Sequence, residues 1–207
     1  MKAHGGEMKM EIKKKEGTAF IVLLSIKIII MNKVHQLIAE TGKSRTNYIS
    51  IIKHLSQDKA SFKKAEDVWS IVDITEHLFW AEQGGILGMW KTLHAIREGK
   101  MEKTFDSIHK DLPIQNLIDL TWKPKEIVPA VAAPRFGGML VFWQYSFLSL
   151  QEVLQAFGND LQEHELRIQA HPHPISGAMD FQQRLEFLSF HIDRHAIQAQ
   201  EIIDCLS

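Results

Sequence analysis

The chain has 207 residues, with 24 Lys and Arg against 25 Asp and Glu for a formal charge of −1, and 45% of its residues are hydrophobic. A chain this long and this apolar can bury a full core, which excludes disorder over most of its length, and its balanced charge argues against the basic field of a nucleic-acid binder. The single cysteine, Cys205, excludes an internal disulfide or a thiolate cluster and points to a reducing, cytoplasmic compartment. Eleven histidines are the excess that needs a reason.

Residues 1–17 are polar and rich in Lys and Glu, and residues 18–31 form an apolar run interrupted by Lys27. That run falls short of the roughly 20 residues a helix needs to cross a bilayer, so no stable membrane insertion is expected. A signal peptide fits poorly, because bulky Ile28, Ile29 and Ile30 follow Lys27 and no small-residue cleavage site comes after them. Met31-Asn32-Lys33 reads as an ordinary protein start. Residues 1–31 are therefore expected to be an extension of unspecified structure, arising from an upstream start codon, and residues 32–207 the main domain.

From Asn32 to about Leu55 the apolar positions Val34, Leu37, Ile38, Tyr48, Ile51, Ile52 and Leu55 recur mostly at helical spacing, with a possible break near Gly42. A linker around residues 57–59 follows. Ser70 with Asp73 three residues on is a helix-start signature, which predicts a second helix from Ser70 to about Glu98. Gly84, Gly85 and Gly88 lie inside it and cost about 1 kcal/mol each relative to Ala, so they imply a kink or a close packing contact. A short helix over 112–122, a loop marked by Pro124, Pro129, Pro134 and Gly137-Gly138, and a third long helix from Met139 to Phe157 come next, the last stopped by Gly158-Asn159. Beyond the loop His171-Pro172-His173-Pro174, a final helix over 179–203 carries the stripe Phe181, Leu185, Leu188, Ile192, His195, Ala199 and Ile202. Four long helices with two long crossovers predict an all-α four-helix bundle.

His191 and His195 are four residues apart, offset by about 40° and about 6 Å of rise, so both imidazoles can converge on one ion. By chance alone, this many histidines would give on the order of one such pair. His195, however, occupies a core slot, where a polar ring needs a partner or a ligand role. His77 lies on a core-facing stripe with Ile74 and Ala81 on the second helix. Three neutral imidazoles can hold a divalent cation and leave a fourth position for water or substrate, although satisfied core histidines would give the same pattern. Asp73, one turn before His77, could orient that ring or serve only the helix start.

The segments Trp69-Ser70-Ile71-Val72-Asp73-Ile74-Thr75-Glu76-His77-Leu78, His171-Pro172 and Leu185 through Gln198 resemble the DinB-like superfamily over about residues 32–204. The resemblance implies a four-helix bundle with a divalent metal (zinc, nickel or iron) on His77, His191 and His195. Gln198 matches a recurring family position to which no role is assigned. The family includes metal-dependent hydrolases, thiol-dependent S-transferases and a thiol-dependent isomerase, so the resemblance implies a small-molecule substrate and a low-molecular-weight thiol as partners. With only one cysteine in the chain, that thiol is expected to arrive with a substrate.

The other histidines read differently. His171 and His173 fit a turn better than ligation, and His4, His35, His54, His94, His109 and His164 share no face with the triad. Glu76, Glu82, Glu186 and Asp193 are candidate general bases, and the sequence does not choose among them. Phe79-Trp80 and Phe142-Trp143 read as core. No phosphate loop or nucleophile elbow is present. The competing expectations are a metal-dependent enzyme, either hydrolase or thiol S-transferase, and a non-catalytic bundle whose metal site is structural or vestigial and whose surface serves homodimerisation or partner binding.

Overall fold

The structure is a computed structural model and describes residues 7–13, 17–23, 32–105, 108–122 and 127–206. The chain divides into two units, Met1–Met31 and Asn32–Ser207. In the first, β1 (Glu7–Lys13) pairs antiparallel with β2 (Gly17–Leu23) in a register that sets Glu7 opposite Leu23 and Lys13 opposite Gly17. The front of the apolar run is thus a strand; residues 24–31 lie outside the described residues.

The second unit is the bundle. Its long helices are α1 (Lys33–Ile52), α3 (Ile71–Arg97), α5 (Leu140–Asp160) and α6 (Phe181–Asp204), with the short α2 (Gln57–Ser61) and α4 (Ile114–Thr121) between them. Helix α1 packs along α6 and α3 along α5, and contacts of α1 with α5 and of α3 with α6 close the ring. Helix α3 starts where the sequence predicts: the Ser70 hydroxyl accepts from the Asp73 backbone N–H at 3.1 Å, and the Asp73 carboxylate accepts from the Ser70 N–H at 2.8 Å. Asp180 and Gln183 form the same reciprocal cap on α6.

Three expectations need correction. Helix α1 passes Gly42 without a break, and α3 runs unbroken through Gly84, Gly85 and Gly88, of which only Gly88 is packed too closely, against His171, to admit a Cβ. Helix α5 does not stop at Gly158 but continues to Asp160, because Gly158 serves a helix crossing: a Cβ at that position would collide with Ile38 on α1. The linker expected near residue 57 contains α2, whose N-cap hydroxyl is that of Ser56.

Besides a smaller cluster that joins α4 to α6, two apolar clusters lie between the long helices. One gathers Leu37, Ile38, Leu93, Phe157, Phe181 and Leu185; the other gathers Tyr48, Ile71, Leu78, Phe147, Ile192 and Ala199. Between them every long helix contributes at least one polar residue, alongside Val153 of α5, which packs against both clusters. There Arg45 of α1 donates to both Glu82 of α3 and Gln151 of α5, and Thr41 meets Ser189 of α6 at 3.1 Å. Among the described residues no helix is long and apolar enough to cross a membrane.

Candidate metal centre

His77 comes from the second turn of α3, and His191 and His195 come from one face of α6. All three are buried. The His191 Nε2 atom lies 3.1 Å from His77 Nε2 and 3.2 Å from His195 Nε2, so the three nitrogens face one point. Tetrahedral zinc with nitrogen ligands at its usual bond length sets them about 3.3 Å apart.

The outer nitrogens fix the proton positions. His77 Nδ1 is 2.8 Å from the Ala132 carbonyl, which can only accept, so this nitrogen carries the hydrogen and Nε2 presents a lone pair. His195 Nδ1 likewise donates to Gln198 Oε1 at 2.8 Å. His191 Nε2 can donate to at most one of the two lone pairs it faces. Without a cation at least one close nitrogen pair stays unsatisfied; a divalent ion satisfies all three, and the residues present fit such an ion. Protons compete poorly for the same site. Burial holds the His77 ring below the ordinary imidazole range, and burial together with the neighbouring rings holds His191 well below it. Burial, reinforced by His77 and opposed by the bond to Gln198, brings His195 down to about 3.

A crossover loop supplies the Ala132 carbonyl, and Glu76 holds that loop in place. The Glu76 carboxylate, adjacent in sequence to His77 and fully buried, accepts the backbone N–H groups of Arg135, Phe136 and Gly137 at 2.8 to 2.9 Å. Burial alone would raise its pKa, but these bonds outweigh it and keep the carboxylate ionised. Aromatic rings box the triad: Trp69 lies 4.9 Å from the His77 ring, and Phe187 stacks on His191 at 5.4 Å. The histidines form part of the wall of a cavity of about 1250 Å³ between α3, α6 and the crossover loops.

A family model described as the DinB superfamily matches residues 40–199. The chain belongs to the DinB superfamily. Its members bind metals, and the triad of this DinB bundle occupies the helices that the resemblance implied. A search of curated proteins returns no match.

The remaining site expectations separate cleanly. Gln198 gains a role as acceptor for His195. Asp73 does not act as acceptor for His77: its carboxylate is taken by the Ser70 cap and by Lys63 at 2.8 Å, and the Ala132 carbonyl does that work. His173 Nδ1 accepts from Ile175 and Ser176 N–H, as a turn residue would. His94 bonds Asp160 at 2.7 Å and His35 bonds Asn32 at 2.7 Å, while His4 lies outside the described residues. Among the four acids, Glu76 anchors a loop, Glu186 accepts from Gln182 and Asp193 is exposed. Only Glu82 of these lines the cavity, buried, with Oε2 lacking a partner. Phe142 is exposed at 60% although its neighbour Trp143 is buried. Sequence reasoning missed Ala132, whose backbone role has no residue signature.

Two outcomes follow. Gln198→Leu is expected to weaken metal binding by about 10–100-fold, as loss of a ligand's orienting partner generally does, with the fold intact; chelator competition measures this, and unchanged affinity contradicts it. The metal-free protein is expected to lose stability as pH falls from 6.5 toward 4. The folded imidazoles of His171, at about 4, and of His173 and His195, at about 3, lie below the ordinary 6.5, so the unfolded chain binds more protons in that window. Their contribution is complete above 6.5 and lost as pH drops through the folded values. Melting temperatures across that range check it, and a flat profile contradicts it.

Proposed function

We propose that His77, His191 and His195 bind a divalent metal (zinc, nickel or iron) and that this DinB protein is a cytoplasmic metal-dependent enzyme, a hydrolase or thiol-dependent S-transferase, acting on a small molecule. The observation that carries the reading is three neutral imidazoles with convergent nitrogens set in the wall of a large cavity, rather than sealed in the core. A bound divalent ion supplies a Lewis acid that lowers the pKa of a water or thiol reaching it from the cavity.

The chain's own groups do the rest. Ala132 and Gln198 orient two of the imidazoles and fix their tautomers. Trp69 and Phe187 shield the triad from bulk water. Glu82 supports the role of proton acceptor, at Oε2: burial raises its carboxyl well above the usual range against the pull of Arg45, whose guanidinium holds Oε1. Cys205 is exposed and outside this cavity, so a thiol reactant comes from solution.

Cobalt-substituted protein titrated with a small thiol tests the reading. Thiolate-to-cobalt charge transfer, abolished by His195→Ala, is the expected result. A cobalt spectrum indifferent to thiols, with no exchangeable water, favours the structural-site alternative and overturns the enzyme.

A further inference from the structure

Two turns before His191 on α6, Arg184 lines the same cavity, and its side chain is 4% exposed. Its Nε and Nη1 are buried without an acceptor, and among the described residues no carboxylate pairs with it. Its Nη2 lies 3.1 Å from His171 Nε2. A guanidinium only donates, so His171 Nε2 accepts and the hydrogen sits on Nδ1, which is itself buried without a partner. The unsatisfied polar atoms of Arg184 and His171 are therefore all donors. Glycine on the opposite helix makes room for the imidazole: a Cβ on Gly88 of α3 would stand 2.6 Å from the His171 ring, while Gly85 lies in ordinary contact range of Arg184. Glu82, the buried acid of the cavity, is held by Arg45 and makes no ion pair with Arg184.

We propose that Arg184 and His171 form an anion subsite that holds a carboxylate of the small-molecule substrate, about 10 Å of helix rise from the metal triad. The inference deepens the enzyme reading, since it takes the cavity as the substrate site. The donors demand an acceptor, and one buried positive charge asks for one negative charge. Burial and the adjoining Arg184 charge hold His171 neutral, so a monoanionic carboxylate balances the corner where a dianionic phosphate would overfill it. The spacing selects a substrate whose carboxylate and reacting group lie at opposite ends of an extended chain.

Calorimetric titration of the full-length protein with hexanoate, hexanamide and hexyl phosphate tests the subsite, with melting curves to establish folding. Wild type is expected to prefer hexanoate over hexanamide by roughly tenfold or more, the scale of a charge-assisted hydrogen bond. Arg184→Gln should erase the preference, and Arg184→Lys should keep part of it, which guards against a glutamine variant that fails to fold. Arg194→Gln removes the exposed cation stacked over Trp122 at 5.5 Å and should leave the preference intact. His191→Ala separates the two readings: a preference that survives it belongs to Arg184 whether or not the metal reading holds. A preference lost in His191→Ala but kept in Arg184→Gln puts the carboxylate on the ion and overturns the subsite. Absence of any preference in wild type, or tighter binding of hexyl phosphate, overturns it equally.

Discussion

Replacing His191 with alanine is expected to yield a folded bundle that has lost its specific divalent-metal site. His191 is the shared vertex of the triad: its Nε2 is within 3.2 Å of both other ligand nitrogens, while it also stacks on Phe187. Without it, two imidazoles from different helices remain, and affinity should fall by more than the roughly 10–100-fold expected for losing an orienting partner such as Gln198. A clear readout is metal-dependent stabilisation. Wild type at a hundredfold excess of metal over Kd should gain about 2.7 kcal/mol, a rise of roughly 5–11 °C for a domain of this size. His191→Ala should show almost none of that rise. Its metal-free melting point should change less than a typical buried aromatic truncation, because removal of the ring also relieves the facing lone pairs. Equal metal-induced shifts in variant and wild type would contradict the assignment.

Arg45→Met is expected to be the most damaging single change to the fold. Arg45 and Glu82 are 1% and 3% exposed and meet in the polar layer between the two apolar clusters. Removing one partner strands a buried carboxylate, at a cost of about 3–5 kcal/mol, or roughly 6–20 °C in melting temperature. The loss should depend on pH. Because the folded Glu82 carboxyl titrates above its ordinary 4.5, the folded variant binds more protons than the unfolded chain, so its stability recovers as pH falls and is lost as pH rises through the raised value. Arg45→Met combined with Glu82→Leu should restore most of the stability, since apolar groups can replace a buried pair at little net cost. A single variant that melts with wild type, or a double variant no better than the single, would contradict this account.

Helical periodicity placed His77 with Ile74 and Ala81, and His195 with Leu188 and Ile192, on core-facing stripes and set His191 one turn before His195, whereas their joint role as ligands was legible only through the resemblance to the DinB-like superfamily. Ser70 and Asp73 were legible as a cap for the same local reason. What stayed hidden depends on the third dimension. Glycine at 158 reads as a stop until Ile38 is seen against it, and adjacent Phe142 and Trp143 both read as core although about 100° of helix rotation between neighbours sends one to solvent. The Ala132 carbonyl is a backbone group presented by a loop that only the Glu76 contacts explain. Arg184 is harder still, because a charged residue beside an apolar stripe ordinarily marks a solvated edge. It packs against His171 in a loop and against α3, contacts that helical periodicity does not display.

The central claim is that three histidines form an open divalent-metal centre. X-ray absorption at the metal edge of untagged full-length protein, measured as purified and after reconstitution, tests it most directly. The account predicts one ion per chain with three imidazole nitrogens and a further light-atom ligand that a thiol displaces. A protein that binds no stoichiometric ion after reconstitution, or an ion whose coordination is unchanged by His77→Ala, would contradict it.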